Sequence, residues 1–166
     1  FFTIVVPCPE PIVPAELLNA IVQLLLRFMI MSGDQARAVA LWIAMTWFIN
    51  DIKVAPLLII TAPERECGKS ILLEMLSRLV LRPLTIANTT AAFLFRAIEA
   101  WMPTLLVDEA DMFARQNDEL KGIINAGHTP ASAFVGRVVK VGDEFLPKML
   151  TVWRAKALPG IRLEKH

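Results

Sequence analysis

The chain has 166 residues, 55% of them hydrophobic and 20% charged, with a formal net charge of +1. That length suits one domain with a core of its own, and the near-neutral balance gives no support to binding driven by bulk positive charge. No run reaches the ~18 uninterrupted apolar residues of a membrane span, so an apolar soluble domain is expected, one that buries surface against partner subunits. Cys8 and Cys67 have neither metal-ligand spacing nor a disulfide framework, which fits a reducing, cytoplasmic setting. The first residues are Phe1-Phe2, and no basic-then-apolar signal pattern opens the chain; a fragment of a longer protein is expected.

Residues 1–14 carry Pro7, Pro9, Pro11 and Pro14 and read as an extended lead or linker. Residues 15–52 read as a helical pair. Its first member runs from Ala15 to about Met31, with Asn19, Gln23 and Arg27 on one wet face. Ser32-Gly33-Asp34 breaks the pattern, and Asp34 is expected to cap a second helix from Gln35 to about Asn50. That helix is apolar nearly all round, so most of it should be buried, with Trp42 and Trp47 packed in the core rather than stacked on a base.

Residues 53–166 organise around Leu57 to Ser70. Leu57–Ile60 should form a short buried strand. A loop, Pro63-Glu64-Arg65-Glu66-Cys67, ends in Gly68-Lys69-Ser70, and Ile71, Leu72, Met75, Leu76 and Leu79 follow at helical spacing. Strand, loop, Gly-Lys-Ser and helix is the context a phosphate-binding P-loop needs. The loop and helix start, Pro63 through Ile71, would surround the phosphates, with the N–H groups that follow Pro63 turned towards them. Gly68 lets the backbone approach. Lys69 reaches the β- and γ-phosphate oxygens of ATP, and Ser70 ligates Mg²⁺. Pro63 stands where glycine is usual, four residues before the Gly-Lys pair; it has no N–H and a fixed φ, so the loop must open with a different turn.

Arg82-Pro83 stops the helix, and Leu84-Thr85-Ile86 is a short strand. Thr89 or Thr90 caps the next helix, which runs to about Ala100 with Phe93, Leu94, Ala97 and Ile98 inward. Thr104-Leu105-Leu106-Val107 is an apolar strand ending in Asp108-Glu109. Acids at the C-terminal end of such a strand lie beside the phosphate loop. Asp108 is placed to hold Mg²⁺, and Glu109 to polarise the attacking water as general base. This is a Walker B arrangement, about forty residues after Gly-Lys-Ser. Asp108-Glu109-Ala110-Asp111 also spells the signature of one helicase class, but the companion Ser-Ala-Thr motif is missing.

Asn117 caps a further helix closed by Asn125-Ala126-Gly127-His128; Asn125 and His128 are candidates for a γ-phosphate sensor or a subunit interface. Phe134–Val141 and Phe145–Val152 flank Gly142-Asp143-Glu144 as a β-hairpin. Its bases Arg137, Lys140 and Lys148 are candidates for nucleic-acid phosphate contact, with Arg154 and Lys156 in the same basic run. Ala155–Leu158 should supply a fourth core strand.

These residues resemble the ATPase domain of primase–helicase-like proteins of phages, plasmids and integrated elements. The resemblance covers residues 9 to 166. It is carried by Glu66-Cys67-Gly68-Lys69-Ser70, Arg82-Pro83-Leu84, Phe95-Arg96, Thr104 to Asp111, Asn117 to His128, Val141-Gly142-Asp143-Glu144 and Lys156-Ala157-Leu158. It implies an AAA+-like or superfamily 3-like motor: a three-layer α/β P-loop NTPase with a mainly parallel sheet, an N-terminal helical pair and an inserted hairpin. It also implies ATP and Mg²⁺ as cofactors, a homo-oligomeric ring, DNA as partner and an upstream primase-like domain. Pro159 stands where the fourth strand would deliver a polar sensor, and the C-terminal segment that carries a neighbour-completing arginine in the family is absent from the sequence. The isolated chain is therefore expected to bind nucleotide better than it hydrolyses it. Two rivals remain: an NTP-driven switch or loader acting on a protein partner, and an assembly module that holds nucleotide without turnover.

Overall fold

The structure is a computed structural model and describes residues 2, 5–61, 68–87, 89–108, 122–123 and 129–159. Helix α1 spans Pro14–Phe28, with Pro at its start, Glu16 in the first turn and Arg27 in the last, charges that match the helix dipole. It ends earlier than its apolar spacing suggests because Met29 turns extended. Helix α2 spans Gly33–Trp47. Its cap is Ser32, not Asp34: Ser32 Oγ accepts the Gln35 N–H at 3.2 Å and Gln35 Oε1 accepts the Ser32 N–H at 2.8 Å. This reciprocal box satisfies two helix-end donors and is worth about 1 kcal/mol. Asp34, already inside the first turn, ion-pairs with Arg37 instead.

Ala36, Val39, Ala40, Trp42, Ile43 and Thr46 form the buried side of α2, whereas Leu41 and Trp47 are exposed. Trp42 is a core residue and donates its indole N–H to the Pro56 carbonyl at 3.0 Å. Trp47 is not: it stays 41% exposed and donates to the Leu79 carbonyl at 2.9 Å. Its indole pins the surface seam between α2 and the next helix rather than filling the interior.

Among the described residues four parallel strands follow: β1 (Leu58–Ile60), β2 (Pro83–Ile86), β3 (Thr104–Val107) and β6 (Lys156–Pro159). Their order is β1-β6-β3-β2. Every residue of β3 is buried, as a strand covered on both faces requires. β1 departs from the buried strand expected of Leu57–Ile60. Among the described strands it is an edge of the sheet, and Ile59 is 56% exposed.

Helix α3 (Lys69–Leu79) connects β1 to β2, crossing from one edge of the sheet to the other, and α4 (Ala91–Trp101) returns from β2 to β3. Parallel crossovers are right-handed, so two that run in opposite directions lie on opposite faces. The result is an α/β fold compatible with three layers. α4 is capped by Thr90, whose Oγ1 accepts the Phe93 N–H at 3.2 Å. Leu94, Ala97 and Ile98 are buried as their spacing requires, but Phe93 is exposed and meets Trp101 edge-on at its ring.

One apolar cluster joins Leu25 and Ile43 of the helical pair to Leu72, Leu76, Ile98, Leu106 and Ala157 of the sandwich. Polar ties, part-buried or buried, reinforce it. Leu81 gives its N–H to Thr46 Oγ1 at 3.2 Å and accepts from Thr104 Oγ1 at 2.6 Å. Trp153 donates its indole N–H to the Ile49 carbonyl at 3.2 Å.

Strands β4 (Phe134–Val141) and β5 (Glu144–Thr151) form a separate antiparallel hairpin. Gly142, at φ 63°, takes the first turn position, where a type II′ turn needs glycine. Arg154 and Lys156 do not belong to the hairpin's basic face. β5 ends at Thr151, and both residues are buried, Lys156 at 2% exposure inside β6.

Burial pulls the Lys156 ammonium down to about 8, whereas an unfolded lysine titrates near ~10.4. Between these values the unfolded chain binds a proton that the folded chain does not, so stability rises with pH across that window and is flat below it. The rise should be on the order of 2 kcal/mol, read from urea midpoints at pH 7.5, 9 and 10, and Lys156→Met should flatten it. Met102, at φ 50° and exposed, ends α4 in the left-handed conformation. Met102→Gly should relieve that strain and stabilise by about 0.5–1 kcal/mol, seen as a raised Tm.

Candidate functional site

The site begins at Gly68, which sits at φ 80° and ψ 11° immediately before α3. An L side chain is strained there. A Cβ at this position would also come within 3.2 Å of Met29 Cε, because the end of α1 packs behind the turn. The first turn of α3 has no side-chain cap and no acid, whereas α2 and α4 are capped by Ser32 and Thr90. Among the described residues no side chain caps its leading N–H groups, which together form the positive end of the helix dipole. Lys69 is the first residue of the helix and half-buried; Ser70 and Ile71 are exposed.

The far end of α3 fixes its direction. Leu79 and Leu81 bond to Trp47 and to Thr104, the first residue of β3. That end therefore lies at the amino edge of the sheet. Eleven residues of helix span about 16 Å, which returns Lys69 to the carboxyl edge, where β1 ends.

Asp108 stands on the same edge. Ile60 pairs with Pro159, and Leu106 with Ala157. Two residues further along, Asp108 falls in the row of Ile60 and Pro159. Two strand spacings, roughly 10 Å, separate Asp108 from Ile60. The Asp108 N–H donates to the Ile86 carbonyl at 2.8 Å, which extends the β2–β3 ladder past the strand end. The backbone of Asp108 is held by β2, and its side chain is half-buried.

Lys69, Ser70 and Asp108 thus share one edge of the sheet. Pro63, Glu64, Arg65, Glu66, Cys67, Glu109, Asn125 and His128 lie outside the described residues, as does the helix expected after Asn117 apart from Gly122 and Ile123. Among the described residues no group of three His, Cys, Asp or Glu could hold a metal ion. Mg²⁺ commonly takes one or two protein ligands and completes its shell with phosphate and water, and Ser70 with Asp108 is a donor set of that kind. Gly68, which a Cβ would obstruct, and the uncapped α3 turn fit a phosphate group.

Two hairpin candidates make contacts with α4, Arg137 half-buried and Lys148 still exposed. Arg137 and Lys148 are directly paired across the strands. The Arg137 guanidinium lies 4.2 Å from the Phe95 ring centroid, and Lys148 ion-pairs with Glu99. Both partners belong to α4. Sequence reading missed these contacts, although Phe95 and Glu99 stand one helical turn apart and so share one face of α4. Lys140 lies in β4 opposite Phe145.

An open groove of about 440 Å³ runs between α1 and α3, lined mainly by Leu24, Phe28, Ile71, Met75 and Leu79. Arg78 also lines it, but its guanidinium is paired with Glu74 at 2.8 Å, and the remaining walls are apolar. No helix among the described residues is long and apolar enough to cross a membrane. No protein-family model matches the chain, and no curated protein matches it.

Gly68→Ala should cost about 1–2 kcal/mol, from positive φ and the Met29 contact. Urea denaturation checks this, with Gly33→Ala as the control. A Cβ there meets nothing nearer than the flexible end of Arg37 at 3.7 Å.

Proposed function

We propose that the chain is the ATP-binding and hydrolysing domain of a cytoplasmic DNA replication motor from a mobile element, working as a homo-oligomeric ring beside a primase-like domain. One observation supports the reading above the others: an uncapped helix opens on Lys69 behind a left-handed glycine, at the sheet edge where Asp108 also ends its strand. In this reading the Lys69 ammonium and the first N–H groups of α3 bind the β- and γ-phosphates and stabilise the charge that builds on the transferred phosphoryl group. Ser70 and Asp108 hold Mg²⁺, which neutralises phosphate charge when bound. Glu109 orients the attacking water and takes its proton.

A second reading, an NTP-driven switch or loader acting on a protein partner, draws support from the hairpin. Arg137 and Lys148 are engaged by α4, which weakens the case for them as free DNA contacts. Stimulation of hydrolysis by single-stranded DNA separates the two readings: a motor is stimulated, a switch is not.

Lys69→Ala should weaken ATP binding about 10- to 100-fold, the worth of one lost charge-assisted contact. Glu109→Gln should leave binding intact and slow turnover by about 10²-fold or more. Equilibrium binding of a fluorescent ATP analogue and phosphate release by the longest available chain read both effects. Unchanged binding in Lys69→Ala would remove the nucleotide assignment, and unchanged turnover in Glu109→Gln would remove the base.

A further inference from the structure

The amino edge of the sheet, opposite the nucleotide edge, holds a group that the proposed function does not use. Arg154 immediately precedes Ala155, whose carbonyl accepts the Leu105 N–H at 3.0 Å, and Arg82 immediately precedes β2, its carbonyl accepting the Thr104 N–H at 2.9 Å. Pro83 pairs with Thr104, and Leu105 with Lys156. One row back, Arg82, Pro103 and Arg154 stand abreast. The two arginines therefore flank Pro103 at roughly 10 Å, two strand spacings apart. Two guanidiniums on side chains of that length can reach a common point between them. Pro103 has no N–H to fill it.

Arg154 is only 6% exposed. Its Nη1 donates to the Trp153 carbonyl, and its Nε, fully buried, has no hydrogen-bond partner. What remains unused is the planar fork of Nε–H and Nη2, the two-donor edge that matches a carboxylate or phosphate side-on. Arg82 commits one nitrogen, Nη1, to the Trp101 carbonyl at 3.4 Å. Among the described residues no carboxylate pairs with either arginine. Burial first, and then the charge of Arg82, lower the Arg154 pKa to about 10, so the guanidinium stays charged at neutral pH. A buried charge without a counter-ion is costly, and arginine cannot shed its proton to escape that cost.

We propose that Arg154 and Arg82 form a binding site for one small oxyanion, a carboxylate or phosphate group, at the amino edge of the sheet. The Arg154 fork grips two of its oxygens, and Arg82 closes over it from the next-but-one strand. The site is separate from the nucleotide edge and does not depend on Lys69.

The test is thermal unfolding of the chain titrated with inorganic phosphate and, separately, with acetate, at constant ionic strength set by chloride. The wild type should gain about 5 °C or more in Tm once an oxyanion exceeds its Kd a hundredfold. Whichever of phosphate or acetate acts at the lower concentration identifies the preferred group. Arg154→Met and Arg82→Gln should each abolish the gain, and Arg154→Met should raise the Tm without ligand, because it removes a buried unpaired charge. Lys69→Ala should keep the gain, which separates this site from phosphate bound at the nucleotide edge. A gain lost in Lys69→Ala but kept in Arg82→Gln, or no saturable gain with either anion, overturns the proposal. If Arg154→Met fails to fold, Arg82→Gln and Lys69→Ala still decide it.

Discussion

Parallel pairing of β6 with β1 on one side and β3 on the other is the constraint on which the arrangement rests. β1 leads to Gly68 and Lys69, and β3 leads to Asp108, yet the two strands never touch. Four residues from the C-terminal part of the chain lie between them and set both registers at once. A slip of one residue in β6 against β3 would move Asp108 about 3.3 Å along the strand direction relative to Ile60, and would turn its side chain to the other face of the sheet. The geometry of the carboxyl edge is therefore decided about fifty residues after Asp108, in a strand that contributes no candidate site side chain.

That strand is costly to place. It carries a lysine at 2% exposure, and the connector before it carries an arginine almost as deep. Apolar burial around them is extensive: Val152, Trp153, Ala155 and Ala157 are all in the core. Each fully buried large side chain, here Val152 and Trp153, contributes about 1.5–3 kcal/mol, which works against the desolvation of the two cations. The helical pair adds to the balance through specific bonds as well as packing. Trp153 reaches back to Ile49, and Thr46 satisfies Leu81. These ties explain why a pair of helices preceding the first strand shares one apolar cluster with the sheet.

Much of this was legible in the sequence because the local signals agreed with one another. Gly-Lys-Ser after four apolar residues, acids after Leu105-Leu106-Val107, and Gly142 between two alternating runs each gave an element of the right type, with ends displaced by a few residues. The cap of α2 was misread because Asp34 and Ser32 are both good capping residues. Gln35 decides between them, since it can return a bond only to the residue three before it. Strand order set the burial of β1, and order depends on which strand β6 chooses, a long-range fact that periodicity does not carry. Charge alone groups Arg154 and Lys156 with the hairpin's basic run. The available signal was Lys156 between Ala155 and Ala157 in an expected core strand, where a parallel strand covered on both faces leaves a long cation no solvent to reach.

The hairpin gives the fold its remaining asymmetry. Arg137 and Lys148 lie on the face that meets α4, while Phe134, Val138, Phe145 and Met149 are exposed. For Arg137 to reach a phosphate it must leave the Phe95 ring, at about 0.5–2 kcal/mol, and Lys148 must leave Glu99 for up to about 1 kcal/mol more. A nucleic-acid contact through these bases would thus compete with the seating of the hairpin on α4. α4 begins at Thr90, a few residues beyond the carboxyl end of β2, and the last carbonyl of β2 holds the Asp108 N–H. The same helix touches the hairpin through Phe95 and Glu99 and leads back at its start to the carboxyl edge of the sheet. The hairpin and Asp108 are thus linked by contiguous contacts: Arg137 and Lys148 rest on α4, α4 follows β2, and β2 holds the backbone of Asp108.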